Sequence, residues 1–135
     1  MPFQVEFVSP EAVLYSGEGT QVVARTRGGG DIAFLAGHEP FIGSLQPSEV
    51  RVTETSGNVL SFAVRSGFVS VTGTSVTVLS DAATPAADID VAAAQADKAT
   101  AEAALAANAD DAFAREDLRW AEVRLRLTGA GQAAH

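Results

Sequence analysis

Residues 76–91, VTVLSDAATPAADIDV, hold the boundary from which the fold can be read. On its left, Val76-Thr77-Val78-Leu79 is the β-branched, apolar composition of a pleated strand. On its right, Pro85 ends that character, Asp88 and Asp90 stand as helix N-cap candidates, and alanine takes over. From Val91 to Ala107, ten of seventeen residues are alanine. Helix propensity there is high while side-chain area is small. The chain therefore divides into residues 1–85, rich in Val, Thr, Ser, Gly and Phe, and residues 86–135, which contain no proline. Charge does not mark this division, because each part carries −4: 8 acidic and 4 basic residues before it, 9 and 5 after.

Leftward of the boundary the period is two. Phe3, Val5 and Phe7 alternate with Gln4 and Glu6, a strand with one wet face. Ala12–Tyr15, Thr20–Thr26, Ile32–Leu35 and Phe41–Leu45 read as further strands. Val50–Thr55 and Val59–Val64 flank Ser56-Gly57-Asn58, a hairpin whose glycine permits positive φ. Phe68–Val71 and Val76–Leu79 flank a second turn at Gly73-Thr74. The pattern predicts an antiparallel β-sandwich of about ten strands over residues 1–85.

Rightward, Val91–Ala107 predicts one helix and Asn108-Ala109-Asp110-Asp111 a turn. A second helix follows to about Leu127, with Thr128-Gly129 as its stop. Residues 86–135 thus form an antiparallel two-helix hairpin, with a tail expected to be disordered from about residue 130. At 100° per residue, Phe113, Trp120, Val123 and Leu127 make one apolar stripe on the second helix. Arg115, Arg119 and Arg126 gather on roughly the opposite side, near Glu122. An alanine-rich partner offers little large apolar area, so the hairpin is expected to detach readily.

Composition excludes several classes of function. There is no cysteine, which removes disulfides, thiolate metal sites and thiol nucleophiles. A net charge of −8 argues against nucleic acid and against anionic lipid. The first residues, MPFQVEFVSPE, lack the basic and apolar regions of a secretory signal. No apolar run reaches the length of a membrane-spanning helix, so direct membrane insertion is not expected. His38 has no second histidine near it in sequence, which leaves a zinc site short of ligands. Ser66, His38 and Asp81 lack the elbow of a hydrolase triad. Gly28-Gly29-Gly30 has no following Lys-Ser/Thr or helix, so it reads as a hairpin turn and not a phosphate loop. The pairs Asp88/Asp90 and Asp110/Asp111 read as helix caps. No catalytic or metal residue is therefore assigned.

Five segments in order carry a family resemblance. They are Val8-Ser9-Pro10-Glu11 with Leu14-Tyr15-Ser16-Gly17-Glu18; Gly30-Asp31-Ile32-Ala33-Phe34-Leu35-Ala36-Gly37-His38-Glu39-Pro40; Ser66-Gly67-Phe68-Val69-Ser70-Val71; Val76-Thr77-Val78-Leu79-Ser80-Asp81; and Ile89-Asp90 before an alanine-rich hairpin. In this series the chain resembles the epsilon subunit of F-type rotary ATP synthases. The resemblance implies a non-catalytic, central-stalk rotor subunit of a proton-translocating enzyme, peripheral at the cytoplasmic face of the cell membrane. It implies a sandwich joining the gamma subunit to the c-ring loops, and helices that extend to restrain ATP hydrolysis. It places Asp31, in the loop before His38, towards the c-ring; His38 itself, after a turn glycine, reads as a structural or interface histidine. It sets Arg115, Arg119 and Arg126 against the acidic C-terminal helices of the β subunits, among the alpha/beta catalytic subunits that the resemblance implies as partners.

The chain departs from the family pattern at three positions. Ala33 replaces a second glycine, so the backbone there should avoid positive φ. Ala93 and Trp120 replace basic residues of the family's nucleotide-binding variants. Asp90 and Arg124 match that pattern and are the remaining nucleotide candidates. Neither alanine nor tryptophan supplies a charge-assisted phosphate contact, so no cofactor is expected and ATP binding should be weak or absent. The alternative function is a nucleotide-sensing module in which the hairpin folds around ATP.

Overall fold

A computed structural model describes residues 2–27 and 30–129 of the chain. Nine strands precede two helices: β1 (Phe3–Val8), β2 (Val13–Thr26), β3 (Gly30–Leu35), β4 (Phe41–Leu45), β5 (Ser48–Glu54), β6 (Val59–Val64), β7 (Gly67–Val71), β8 (Ser75–Ser80), β9 (Ala83–Pro85), α1 (Val91–Ala107) and α2 (Ala112–Leu127). Two expected strands, Ala12–Tyr15 and Thr20–Thr26, are one 14-residue strand, β2. Ser16–Gly19 does not break the chain there, because it pairs register by register with β1. The short β9 carries no periodic signal and exists through its pairing with β6. The tail expected to be disordered lies outside the described residues.

The strand order is β1-β8-β7-β4-β2-β5-β6-β9, with β3 beside β2 and β1 also pairing with β2. The long β2 therefore serves both layers: its first half pairs with β1, its second with β3 and β5. All pairings are antiparallel except β1–β8, which is parallel. No hairpin turn joins those two strands, so nothing local fixes their relative direction.

Alternation sends Val5, Phe7, Val22, Ala24, Val50, Val52, Val69 and Val78 inward, all fully buried. Aromatic rings span the core: Phe7 lies 4.3 Å from Phe62, and Tyr15 meets Phe7 edge-on at 5.9 Å. Buried polar groups are satisfied. The Ser80 hydroxyl donates to the Ser66 carbonyl at 2.6 Å and accepts the Ala82 N–H at 3.2 Å.

Two of the five described glycines with positive φ show why the backbone needs that residue. Gly57, at φ +90, closes the β5–β6 hairpin, its N–H bonded to the Glu54 carbonyl at 2.9 Å. Gly67, at φ +145, passes so close to β8 that a Cβ would stand 1.9 Å from the Leu79 carbonyl oxygen. The β7–β8 turn works differently, since Gly73 has no positive φ there. Instead the Thr72 hydroxyl accepts the N–H groups of Thr74 and Ser75 at 3.3 and 3.1 Å.

Each helix begins on an aspartate. Asp90 accepts the Ala93 N–H and Asp111 the Ala114 N–H, both at 3.0 Å, satisfying donors that an uncapped first turn leaves orphaned. Asp88, the other candidate, lies in a short 3-10 turn instead. The helices pack on each other, and α2 also packs on β5 and β6. Helix α1 buries Ala94 and Ala101; α2 buries Ala114, Trp120, Ala121, Val123 and Leu125. The hairpin thus lies folded back on one face of the sandwich, with α2 as the inner helix.

Candidate functional site

The docking of α2 organises the surface into a covered face and a free one. Trp120 and Val123 bury against Ala63 of β6, with Ala82, Ile89 and Leu127 around them. Phe113, expected in the same apolar stripe, is instead 83% exposed. The reason is positional. Arg65, just past β6, is bonded to Asp117, and Arg27, just past β2, lies 3.6 Å from Glu116. These pairs mark where the strands end, and Phe113 precedes them by a helical turn.

The two nucleotide candidates have structural duties. Asp90 is the α1 cap described above. Arg124 donates to Asp97 at 2.8 Å, sits 5.0 Å over the Trp120 ring, and has a side chain only 13% exposed. The cavity beside it, about 200 Å³, is lined by Arg65, Thr100, Asp117 and Trp120 among others, but not by Asp90.

Asp31 and His38 fall at opposite ends of β3. Asp31, expected in a loop, lies within β3, and Gly28 and Gly29 of the expected hairpin turn lie outside the described residues. Its partner across β2 is Arg25, held by two bonds of 2.9 and 3.2 Å. That guanidinium holds the Asp31 carboxyl below its ordinary value, with a smaller contribution from the charge of Arg51. His38 follows the strand in a turn, its N–H bonded to the Leu35 carbonyl at 3.0 Å. Its ring meets Phe34 edge-on at 5.0 Å, and Nδ1 lies 2.7 Å from the Glu39 carbonyl oxygen. Ala33 sits in β3 without positive φ, as the alanine requires.

The arginines of α2 divide. Arg119 and Arg126 line a cleft of about 320 Å³ between α2 and the outward faces of β2 and β5, together with Arg25, Arg51 and Asp31. Arg115 is exposed and lies outside that cleft. Sequence reasoning did not single out Arg25 and Arg51. Their signal was available in the alternation: Val22, Ala24, Val50 and Val52 point inward, so the residues between them point out.

The opposite face, formed by β1, β8, β7 and β4, carries no helix among the described residues. Its outward positions include Ile42 at 76% exposure, Phe68 at 53% and Leu79 at 45%. Phe68 and Leu79 are direct cross-strand neighbours, and Ser44 pairs with Phe68 on the other side. Val8, Pro10, Ser44, Phe68 and Leu79 line an open depression of about 650 Å³. No helix among the described residues is long and apolar enough to cross a membrane.

Residues 2–86 match the β-sandwich domain of the ATP synthase delta/epsilon chain. The ATP synthase epsilon chain of Thioalkalivibrio sulfidiphilus is 40% identical over 131 residues, spanning 94% of this chain and 92% of that one. The epsilon chain of Frankia casuarinae is 42% identical over 83 residues, 62% of this chain and 96% of its own. A chain in the cryo-EM structure of the mitochondrial ATP synthase of Euglena gracilis shares the fold, with a TM-score of 0.70 at 20% identity. The likeness covers 98% of this chain and 81% of that one. The chain belongs to the ATP synthase delta/epsilon family as a non-catalytic, epsilon-type member.

Proposed function

We propose that this chain is a central-stalk rotor subunit of a proton-translocating ATP synthase. Its sandwich joins the gamma subunit to the c-ring loops, and its hairpin restrains ATP hydrolysis by the alpha/beta catalytic subunits. In this role it sits peripherally at the cytoplasmic face of the cell membrane, held there by its partners.

The observation that carries the reading is the asymmetry of the sandwich. One outward face is occupied by α2, while the other leaves Ile42, Phe68 and Leu79 in water. Clustered exposed apolar side chains of this size mark a protein interface. Their mixture with Ser44, Ser70 and Thr77 on the same face suits a stable but not membrane-embedded contact. This face is therefore the gamma-docking surface. The β2–β3 end bearing Asp31 meets the c-ring loops, and His38 shapes the opposite end of β3 through its ring contacts.

The test is a double substitution, Ile42→Glu with Phe68→Glu, in the native complex. Both side chains already point into water, so the sandwich keeps its fold. The expected result is loss of stoichiometric copurification with the gamma subunit. Full retention of gamma by the double variant would overturn the reading.

A further inference from the structure

The start of β2, at the other end of that strand from Arg25, carries an apolar cluster of its own. Val13, Leu14 and Val59 are 59%, 39% and 53% exposed. Leu14 and Val59 line a pocket of about 410 Å³ between the first half of β2 and the β6–β9 edge, together with Tyr15, Leu60, Phe62 and Pro85. Exposed apolar side chains gathered round a concave site mark a place that binds something. Charge indicates what. None of the residues lining the pocket is basic, and a carboxylate stands on each flank. Glu54 is bonded to the Tyr15 hydroxyl, and Asp88 directly follows Ala86 and Ala87, which also line the pocket. Neither acid forms an ion pair among the described residues. Glu54 is also held in place: Oε2 accepts the Tyr15 hydroxyl at 3.3 Å and Oε1 the Asn58 side-chain amide at 3.2 Å. A carboxylate offers about four acceptor sites, so each of these oxygens keeps capacity for one more donor.

We infer that this pocket docks a protein segment through an arginine side chain, its aliphatic stem against Leu14, Leu60 and Phe62 and its guanidinium forked on Glu54. Apolar neighbours of that arginine cover Val13 and Val59. Arginine suits the site better than lysine, because its planar fork matches two carboxylate oxygens while its stem packs on apolar surface. A purely apolar ligand would leave the held carboxylate without a partner. A nucleotide or an anionic lipid would meet repulsion from both Glu54 and Asp88. Val13 is the cross-strand neighbour of Val8, so the pocket adjoins the depression beside Phe68, but the two share no lining residue. The inference therefore does not rest on the proposed gamma contact.

Binding to the full chain is followed by methyl NMR with three probes: acetyl-LRLR-amide, its analogue with citrulline in place of arginine, and acetyl-SRSR-amide. The first is expected to shift the methyl signals of Leu14, Val59 and Leu60 saturably, while those of Ile42 and Leu79 stay unmoved. Citrulline keeps the stem and removes the charge, so that analogue should bind about tenfold more weakly, the ordinary loss for one hydrogen bond between charged groups. The serine peptide keeps the charge and removes the apolar neighbours, and it should be weakened by a similar factor. Glu54→Gln keeps an acceptor for the Tyr15 hydroxyl and should bring acetyl-LRLR-amide down to the affinity of the citrulline analogue. Val59→Lys alters a side chain already in water and should weaken the same peptide several-fold. Unaltered strand circular dichroism shows that both variants are folded. Four results would each overturn the inference: equal binding by either analogue, shifts centred on Ile42 and Leu79, unchanged affinity in both variants, or no saturable shift in the pocket up to about 10 mM, past the range of millimolar ligands.

Discussion

Trp120 of α2 lies against Ala63 of β6, and the fully buried methyl group of Ala63 sets how closely the hairpin can approach the sheet. A larger residue at that point would meet the indole before the helix could seat.

Ala63→Lys is therefore expected to undock the hairpin without unfolding the sandwich. Ala63 faces outward, away from the cluster of Phe7, Val22, Phe62 and Val78, so a lysine there can reach water once α2 has left. Overpacking a filled contact costs about 1–3 kcal/mol, enough to shift a weakly held element. Trp120 emission should move to longer wavelength while strand circular dichroism is unchanged. Unshifted emission would show that the indole is not the docking contact.

The ion pairs beside that contact should contribute little by comparison. Arg65 and Asp117 have side chains 37% and 49% exposed, and exposed pairs typically couple by about 0.2–1 kcal/mol. A double-mutant cycle with Arg65→Gln and Asp117→Asn, read by Trp120 emission in urea, should give a coupling in that range. It should shrink in high salt, because exposed charges are screened. A salt-independent coupling several times larger would mean the pair, and not Trp120, holds the helix.

The two-part architecture was legible because each part repeats its own period: two in Phe3-Gln4-Val5-Glu6-Phe7, helical after Val91. The exchange of Arg115 for Arg25 and Arg51 in the cleft was not. A helical wheel ranks Arg115, Arg119 and Arg126 as equivalent, but only the position of the strand ends beneath α2 decides which of them lies over the sheet. Phe113 failed in the stripe for the same reason. Likewise Asp31, expected in a loop, lies in β3, since a glycine in sequence does not mark the residue at which the following strand begins. Arg124 matched a nucleotide pattern in sequence, while its bond to Asp97 depends on how α1 and α2 align, which no local pattern encodes.

Acid should release the β2–β3 ion pair. The Asp31 carboxyl is held below its ordinary value of 3.8, chiefly by its bonds to Arg25. A depressed folded-state value means that the pair's contribution is fully present above the ordinary value and is lost as pH falls through the depressed one. Carboxyl NMR should show Asp31 titrating below the range of free aspartates. Arg25→Gln should move that titration upward, and an unmoved titration would remove Arg25 as the cause.

ATP should bind the hairpin weakly. Arg124 is already committed to Asp97 and to the Trp120 ring, and Asp90 to the Ala93 N–H. A dissociation constant no tighter than about millimolar is expected, roughly −4 kcal/mol. Isothermal titration measures it. A micromolar value that Arg124→Gln abolishes would restore the nucleotide-sensing alternative.

The arginine face of α2 gives the last prediction, and the structure separates two effects that sequence joins. Under the proposed regulatory role, Arg115, Arg119 and Arg126 meet carboxylates of the catalytic subunits when the hairpin extends. Each partly exposed pair would contribute about 0.2–1 kcal/mol, and reversing its sign adds repulsion. The triple reversal Arg115→Glu, Arg119→Glu and Arg126→Glu is therefore expected to raise ATP hydrolysis by the assembled complex, with assembly intact. Arg119 and Arg126 also line the docked cleft, so their reversal places new carboxylates beside Asp31 and Glu49 and weakens docking. Weaker docking favours extension, which opposes the expected gain. Arg115 lies outside the cleft, so Arg115→Glu alone isolates the partner contact. It should raise hydrolysis by a smaller factor and leave Trp120 emission of the isolated chain unchanged, with added salt giving part of the same gain in the unsubstituted complex. Unchanged hydrolysis in both the single and the triple variant, in correctly assembled complexes, would reduce this face to a solvated surface of an alanine-rich hairpin.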